Sequence, residues 1–412
     1  MRAERDRPLR VLLLPAPYVH GTVGSTVRAI ALAHALQRLG CEVAFVAAGP
    51  TAAMAGAEGY RVFQSPVPHA ADTAVPLRSV IDSISWTGLA EEGFIRLLVD
   101  AELAAVRDFR PDAAWGDFHP TAIISMTAAD VPLASIAVWP SHPDFPANHV
   151  NDPNAPAFNS VLRDFGQPLV DTSVELLFVR SALRIAPTLP ELEPELTHAC
   201  DATFVGHLID LGAASESAPP PAFMEWPPRR RGFVYMSVTG PPPAILVQIV
   251  RDAFAGTDLH ALVATGFHVD AAALPSGDDH VRVARYVPAQ PVIEQAAFVV
   301  AHGGQNTLAS GLYYGVPSIH FPGDAVERQY NAEQLERCGA GISLPLAALR
   351  PRRLQRALEE LLSGPYMRNA REIAQRVRLA GGAQAAAAHI VTLARGRQAH
   401  ASAVATNLEV VS

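Results

Sequence analysis

Residues 301–341 read AHGGQNTLASGLYYGVPSIHFPGDAVERQYNAEQLERCGAG. The run leading into them, Ala296-Ala297-Phe298-Val299-Val300-Ala301, is apolar throughout and predicts a buried strand. It passes straight into His302-Gly303-Gly304. Helical spacing follows from Thr307 to Tyr314, Gly315-Val316-Pro317 stops that helix, and Ser318 to Phe321 begins another strand. Strand, glycine turn, helix, strand is an α/β unit with a crossover. The paired glycines let backbone approach a ligand closely, and the following helix aims free N–H groups and its positive dipole end at the same place. That geometry favours an anion, most simply a phosphate. Glycine-rich turns of this kind also occur where nothing binds, and a strand-end histidine often only satisfies its neighbours, so the turn alone leaves both readings open.

The same pattern appears at the start of the chain. Arg10 to Leu14 predicts a first strand. The loop Pro15 to Gly24 carries two glycines, Ser25 to Leu39 has helical spacing with Ser25 as a candidate N-cap, and Glu42 to Ala47 predicts the next strand. Pro111 to Gly116, ending at Asp117, and Leu133 to Val138 predict further strands, with a helix over 121–129. Residues 76–109 and 161–180 read as mainly helical. Trp139 to Phe158, rich in proline, asparagine, histidine and aromatics, reads as a long surface loop of the kind that often carries function. The pattern restarts after Arg230: Phe233 to Ser237 and Leu259 to Ala264 predict strands, and 351–363 and 365–395 predict helices opening with proline. Thr406 onward reads as frayed.

A chain of 412 residues is too long for one ordinary core. The expected fold class is α/β, with two parallel-sheet, Rossmann-like domains facing across a cleft. The boundaries expected are 1–211 for the first domain, 212–230 for a proline-rich linker, 231–380 for the second, and 381–412 for a C-terminal helix and tail placed to pack back on the first. A net charge of −8 supplies no basic field for nucleic acid. Three well-separated cysteines give no metal or redox pair and suit a reducing, cytoplasmic compartment. No apolar run reaches the length of a membrane span.

The stretch HGGQNT…GVPSIHFPGDAVERQYNA…CGAGISL resembles the donor-binding signature of family 1 glycosyltransferases, the GT-B group that includes macrolide and plant natural-product enzymes. The resemblance extends to VYMSVTG at 234–240, to YVPAQPVIEQAAFVVAHGG at 286–304, and to the N-terminal β–loop–α–β. It implies an inverting, metal-independent hexosyltransferase without a cofactor. A nucleotide-diphosphate sugar, of UDP or TDP, serves as co-substrate and a small molecule accepts the sugar. Carried over by position, His302 donates to a diphosphate oxygen, with Gly304, Asn306 and Thr307 around the same phosphates. Ser237 and Thr239 touch the diphosphate from the facing loop, and Tyr286 stacks on the nucleobase. Trp139, His142 and Phe145 are candidates for the acceptor wall, each readable as packing instead.

Three positions depart from the family. Ser310 stands where a glutamate bonds the ribose hydroxyls. Glu327-Arg328 stand where an Asp-Gln pair holds the sugar, and arginine cannot accept a hydrogen bond as glutamine does. Ser25 stands where the family's basic histidine opens the first helix. The expected base is therefore His20, oriented by Asp117, with Asp117 acting directly, His119 and His142 as further candidates. The acceptor expected is a partly apolar natural product, as in antibiotic biosynthesis. A non-catalytic nucleotide-sugar-binding protein of the same fold and a lipid-carrier glycosyltransferase, the latter suggested by GTVGSTVR, stand as alternatives.

Overall fold

The structure, a computed structural model, describes residues 7–17, 24–67, 77–210, 218–236, 240–266 and 277–411, with side chains as far as residue 398. Its first sheet is built from β1 (Arg10–Leu14), β2 (Glu42–Ala47), β3 (Arg61–Gln64), β4 (Ala113–Gly116), β5 (Leu133–Ile136), β6 (Leu183–Ala186) and β7 (Thr203–Phe204). Every pairing is parallel and the order is β3-β2-β1-β4-β5-β6-β7. Helices α1 (Gly24–Arg38), α2 (Gly49–Ala57), α3 (Val80–Trp86), α4 (Glu92–Phe109), α5 (Pro120–Ala128), α6 (Ala155–Asp164) and α7 (Pro194–Ala199) accompany it. Leu12 and Leu14 of β1 face one apolar core and Val11 and Leu13 the other. A strand covered on both faces must be apolar at every covered position rather than at alternate ones, and Val11 to Leu14 is.

The second sheet contains β8 (Arg231–Tyr235), β9 (His260–Ala264), β10 (Val281–Ala284), β11 (Phe298–Ala301), β12 (Ser318–His320) and β13 (Gly341–Ser343). It too is parallel, in the order β10-β9-β8-β11-β12-β13. Its helices are α8 (Pro221–Met224), α9 (Pro243–Phe254), α10 (Ala289–Glu294), α11 (Gln305–Tyr314), α12 (Val326–Arg337), α13 (Pro351–Ser363) and α14 (Tyr366–Leu379). The last helix, α15 (Gly382–Val411), leaves this domain and returns to the first. Ala383, Ala386, Ala387, Ile390 and Ala394 are buried in the same core as Ala29, Ala33 and Leu36 of α1.

Several sequence expectations change. The stretch 139–158 is not a surface loop. It forms two short 3₁₀ turns and the start of α6, with Asn148, Asp152, Asn154 and Phe158 buried. Side chains replace the missing ladder bonds. Asn148 Nδ2 donates to the Pro140 and His142 carbonyls at 3.0 and 2.9 Å, and its Oδ1 accepts from Val80 N at 3.1 Å. The helix expected over 161–180 lies earlier, over Ala155–Asp164. Pro156 sits in its first turn, where no intrahelical N–H bond is lost, and Gly166 and Pro168 follow its end. The helix expected over 365–395 breaks at Ala380-Gly381, and α15 runs on through residue 411 instead of fraying from Thr406. The segment 212–230 is not linker throughout, because Phe223 and Trp226 pack into the second domain's core.

Candidate functional site

Parallel sheets present their strand carboxyl ends on one edge, and here the two edges face each other. From the first domain come Asp117, directly after β4, and Ile136, the last residue of β5. From the second come Tyr235, the last residue of β8, and His302, directly after β11. They line one cleft of about 1510 Å³, counted to its open mouth. Val80, Trp86, Phe118, Val138 and Leu177 give the first wall an apolar face. Thr307, Glu327 and Arg328 give the second a polar one.

The polar wall is assembled by the glycine turn. Gly303 has φ +81°, a left-handed conformation, and a Cβ there would lie 2.7 Å from the Arg328 carbonyl oxygen. Gly304 is the N-cap of α11, and a Cβ on it would lie 2.5 Å from His302 Nε2. Only glycines allow α12, the histidine ring and the start of α11 to meet this closely. His302 Nδ1 donates to the Tyr235 carbonyl at 3.4 Å, with the two rings edge to face at 5.5 Å between centroids. Burial, reinforced by the neighbouring Arg328 charge, pushes the His302 imidazolium down to a pKa of about 3, so the ring is neutral near pH 7. Arg328 occupies the first turn of α12, where the dipole disfavours a cation, and burial lowers its pKa. A buried cation at a helix N-terminus, beside a second helix N-terminus and a histidine, is a seat for an anion.

The remaining sequence candidates divide. Thr307 lines the cleft in the first turn of α11, and Glu327 lines it in the first turn of α12. Asn306 lines it too, but its Nδ2 donates to the Gly24 carbonyl at 3.0 Å across the domains. Ser310 does not reach the cleft as a ribose contact would. Its Oγ donates back along α11 to the Asn306 carbonyl at 2.9 Å. Tyr286, beyond the end of β10, is 56% exposed and stands outside the cleft lining. His20, Ser237 and Thr239 lie outside the described residues.

The expected acceptor aromatics turn inward. Trp139 stacks on His142 at 5.2 Å, and Phe145 meets the Tyr330 ring of α12 edge-on at 5.9 Å. None of Trp139, His142 and Phe145 lines the cleft, whose wall at this point is Val138 and Ser141. The base candidates are also redistributed. His119 is buried with Nδ1 2.9 Å from the Pro15 carbonyl and Nε2 2.9 Å from Glu102 Oε1, so both nitrogens already face acceptors. His142 is buried, Nδ1 accepts from Asp144 N at 3.1 Å, and desolvation lowers its pKa. Asp117 is neither a helix cap nor the partner of any described histidine. Its two oxygens accept from Arg28 Nε and Nη2 at 2.8 and 3.0 Å. Burial raises the Asp117 carboxyl and the Arg28 charge pulls it back. Sequence reasoning passed over Arg28. The available signal was a cation in the first turns of a helix whose neighbours Ser25, Thr26, Ala29 and Ile30 are buried.

The domains also meet through a carboxylate: Glu195 accepts from the Tyr330 hydroxyl of α12 at 2.8 Å. Within the first domain the neighbouring Glu193 accepts from Trp139 N at 2.8 Å. Burial, with Glu195 and Glu327 nearby, pushes Glu193 up to a pKa of about 8. An acid raised in the folded state keeps its proton where the unfolded chain has lost it. Stability is therefore full below about pH 4.5, declines as pH rises toward 8, and is level above. Glu193→Gln, which mimics the protonated acid, is expected to flatten that decline. Its melting temperature at pH 8 should exceed that of the parent by a few degrees, since about 1 kcal/mol moves a domain of this size by roughly 2–4 °C. Melting curves of both proteins from pH 5 to 8.5 check this; parallel curves refute it.

Comparison with known proteins bears on the same site. Residues 252–393 match the family described as erythromycin biosynthesis protein CIII-like, C-terminal domain. The PGL/p-HBAD biosynthesis rhamnosyltransferase of Mycobacterium bovis (strain BCG / Pasteur 1173P2) is 24% identical over 377 residues, 85% of this chain and 80% of that protein. The 3-alpha-mycarosylerythronolide B desosaminyl transferase of Saccharopolyspora erythraea is 25% identical over 290 residues, 66% of each chain. Among solved structures, the spinosyn rhamnosyltransferase SpnG complexed with thymidine diphosphate superposes with a TM-score of 0.73 at 21% identity, covering 93% of this chain and 100% of that one. Two Rossmann-like domains facing across a cleft are the GT-B fold, and the curated relatives that the chain resembles are named glycosyltransferases. Over residues 252–393 the chain is similar to the erythromycin CIII-like C-terminal domain, and over most of its length it is similar to glycosyltransferases named for natural-product pathways.

Proposed function

We propose that the chain transfers a deoxygenated hexose, with inversion and without a metal, from its TDP-sugar to a hydroxyl of a partly apolar natural product. The observation that carries the reading is the opposition of two walls in one cleft. The N-terminus of α11 and Arg328, beside His302, concentrate positive potential where a leaving diphosphate develops charge. Val80, Trp86, Phe118, Ile136, Val138 and Leu177 face them with an apolar surface for an aglycone. A deoxygenated sugar fits the loss of the glutamine at Arg328, because fewer sugar hydroxyls need acceptors. The relatives named for rhamnosyl and desosaminyl transfer, and the neighbour holding thymidine diphosphate, support that choice of sugar and base.

For the general base, His119, His142 and Asp117 are already engaged. His20 lies in the segment between Ala16 and Gly24, both of which line the cleft, and is the base we assign. His20→Ala should abolish transfer while nucleotide still stabilises the protein against heat; full activity removes the assignment. A second acceptor class, a lipid-linked one, is favoured by the relatives named for PGL/p-HBAD biosynthesis. Among the described residues no helix is long and apolar enough to cross a membrane. The deciding experiment is a thermal-shift screen of TDP, UDP and GDP, followed by mass spectrometry of products from TDP-sugars with polyketide-like and lipid-linked acceptors. TDP is expected to stabilise most, and stabilisation by GDP alone refutes the reading.

A further inference from the structure

The residue that holds Asp117 belongs to neither half of the site alone. Arg28 projects from α1 with its side chain only 13% exposed. One edge of its guanidinium, Nε and Nη2, grips both Asp117 oxygens. The other, Nη1, donates to Gln305 Oε1 at 2.6 Å and to Asn306 Oδ1 at 3.3 Å. Gln305 and Asn306 are the first two residues of α11, whose N–H groups open the anion seat. Asn306 Nδ2 returns a bond to the Gly24 carbonyl at the start of α1. Two helix N-termini from different domains are thus clasped end to end. Such ends repel one another through their dipoles, and Asp117 is the acid that offsets them.

The wall on the Asp117 side is held in an unusual conformation. Phe118, next in sequence and lining the cleft, has φ +51°, which a bulky residue adopts only when its surroundings compel it. Protonating Asp117 would leave the Arg28 charge unpaired in a buried site, so this carboxylate acts as a counter-ion. The planar guanidinium fork, with its five N–H donors, suits a link that must grip a carboxylate and two amide oxygens at once; an ammonium presents a single point.

We propose that Arg28 is a positioning residue that couples the acceptor wall to the donor seat, so that Asp117 influences nucleotide binding although, among the described residues, it hydrogen-bonds none of the second domain. The proposal rests on the glycosyltransferase reading. It makes the distance and angle between the aglycone wall and the phosphate turn depend on one side chain, and a misplacement of about 1 Å between reacting groups costs up to about 10²-fold in rate.

The test is a double-mutant cycle read in nucleotide affinity. TDP is titrated calorimetrically into the full chain, its Asp117→Asn variant, its Arg28→Met variant and the double variant. Asp117→Asn is expected to weaken TDP about fivefold or more, the range of an ordinary intersite coupling, and to have no further effect once Arg28 is gone. Gln305→Met, which leaves the buried ion pair in place and so guards against misfolding of the Arg28 variant, should likewise make Asp117→Asn silent. Arg28→Lys, whose ammonium cannot grip the carboxylate and both amide oxygens at once, should lose TDP affinity as Arg28→Met does and leave Asp117→Asn silent, a result that retention of the charge alone would not produce. Additive effects of Asp117→Asn and Arg28→Met overturn the coupling while leaving the functional reading intact. Failure of the parent protein to bind any nucleoside diphosphate overturns the functional reading, and the coupling with it.

Discussion

Gly303→Ala is expected to abolish nucleotide binding with only moderate loss of fold. The substitution meets two obstacles at once. An alanine at φ +81° costs about 1–2 kcal/mol in the left-handed region. Its Cβ must also sit 2.7 Å from the Arg328 carbonyl oxygen, which is backbone and cannot swing aside. Relief comes only by moving the turn off α12 or by moving the start of α12, and either motion separates Arg328 from the N-terminus of α11. The anion seat then loses its convergence, although the strand beneath, Phe298–Ala301, keeps its pairing on both sides. The melting temperature without nucleotide should fall by an amount matching about 1–3 kcal/mol, the usual cost of one strained backbone position. The stabilisation that TDP gives the parent, about 2.7 kcal/mol at a hundredfold excess over Kd, should vanish. Gly304→Ala is the companion: its Cβ meets a side-chain atom, His302 Nε2, so the ring is displaced and the backbone is not. It should weaken nucleotide without the same loss of melting temperature. A Gly303→Ala protein that responds normally to TDP would show that the turn is not part of the donor site.

These expectations come from a motif whose local chemistry was legible in the sequence, whereas much of the surrounding site was not. The glycine turn, the strand before it and the helix after it are encoded by neighbours, so periodicity and φ requirements reveal them. The buried runs RVLLL and FVVA read as parallel strands for the same reason. What failed was whatever depended on distant partners. Trp139, His142 and Phe145 have the composition of a ligand wall, and only packing against Tyr330 and Phe178 turns them inward. Asp117 carries no mark of which cation will reach it. Arg28 lies 89 positions before it in sequence and Gln305 lies 188 positions after it, 305 − 117. Asn148, Asp152 and Asn154 look like loop residues because they are polar, yet Asn148 and Asp152 bond the backbone of a buried irregular segment and Asn154 bonds the Ile81 carbonyl of α3. Composition cannot distinguish a solvated asparagine from one that replaces a ladder.

His302 supplies the other large effect, and its tautomer makes that effect depend on pH. With the Nδ1 proton given to the Tyr235 carbonyl, neutral imidazole presents a bare lone pair at Nε2. A phosphate oxygen arriving there brings another acceptor, so the contact forms with the Tyr235 bond kept if the ring takes up a proton; moving the Nδ1 proton to Nε2 would forfeit that bond. In the free protein burial, Arg328 and the second buried histidine, His320, all oppose that proton, which is why the ring stays neutral down to about pH 3. A diphosphate reverses the balance and raises the ring's affinity for it. Between about pH 3 and the higher value in the complex, binding consumes one proton, and affinity falls about tenfold per pH unit. Calorimetry with a TDP-sugar, whose esterified diphosphate does not itself titrate near neutrality, in buffers of contrasting ionisation enthalpy at pH 7.5 should report net proton uptake. His302→Gln, whose amide donates without titrating, should bind with no proton uptake and a flat pH profile; Nε2 protonation fails as an account if the variant keeps the parent's uptake. His207 and His320, both held neutral to about pH 4 by burial, are unchanged in that variant and so serve as internal controls. Turnover should separate the two roles of the ring. His302→Ala removes a donor aimed at the leaving group and is expected to lower kcat by about 10²–10³-fold. His302→Gln restores a neutral donor and should recover part of that loss but not all, because the charge that matches the developing diphosphate is still missing.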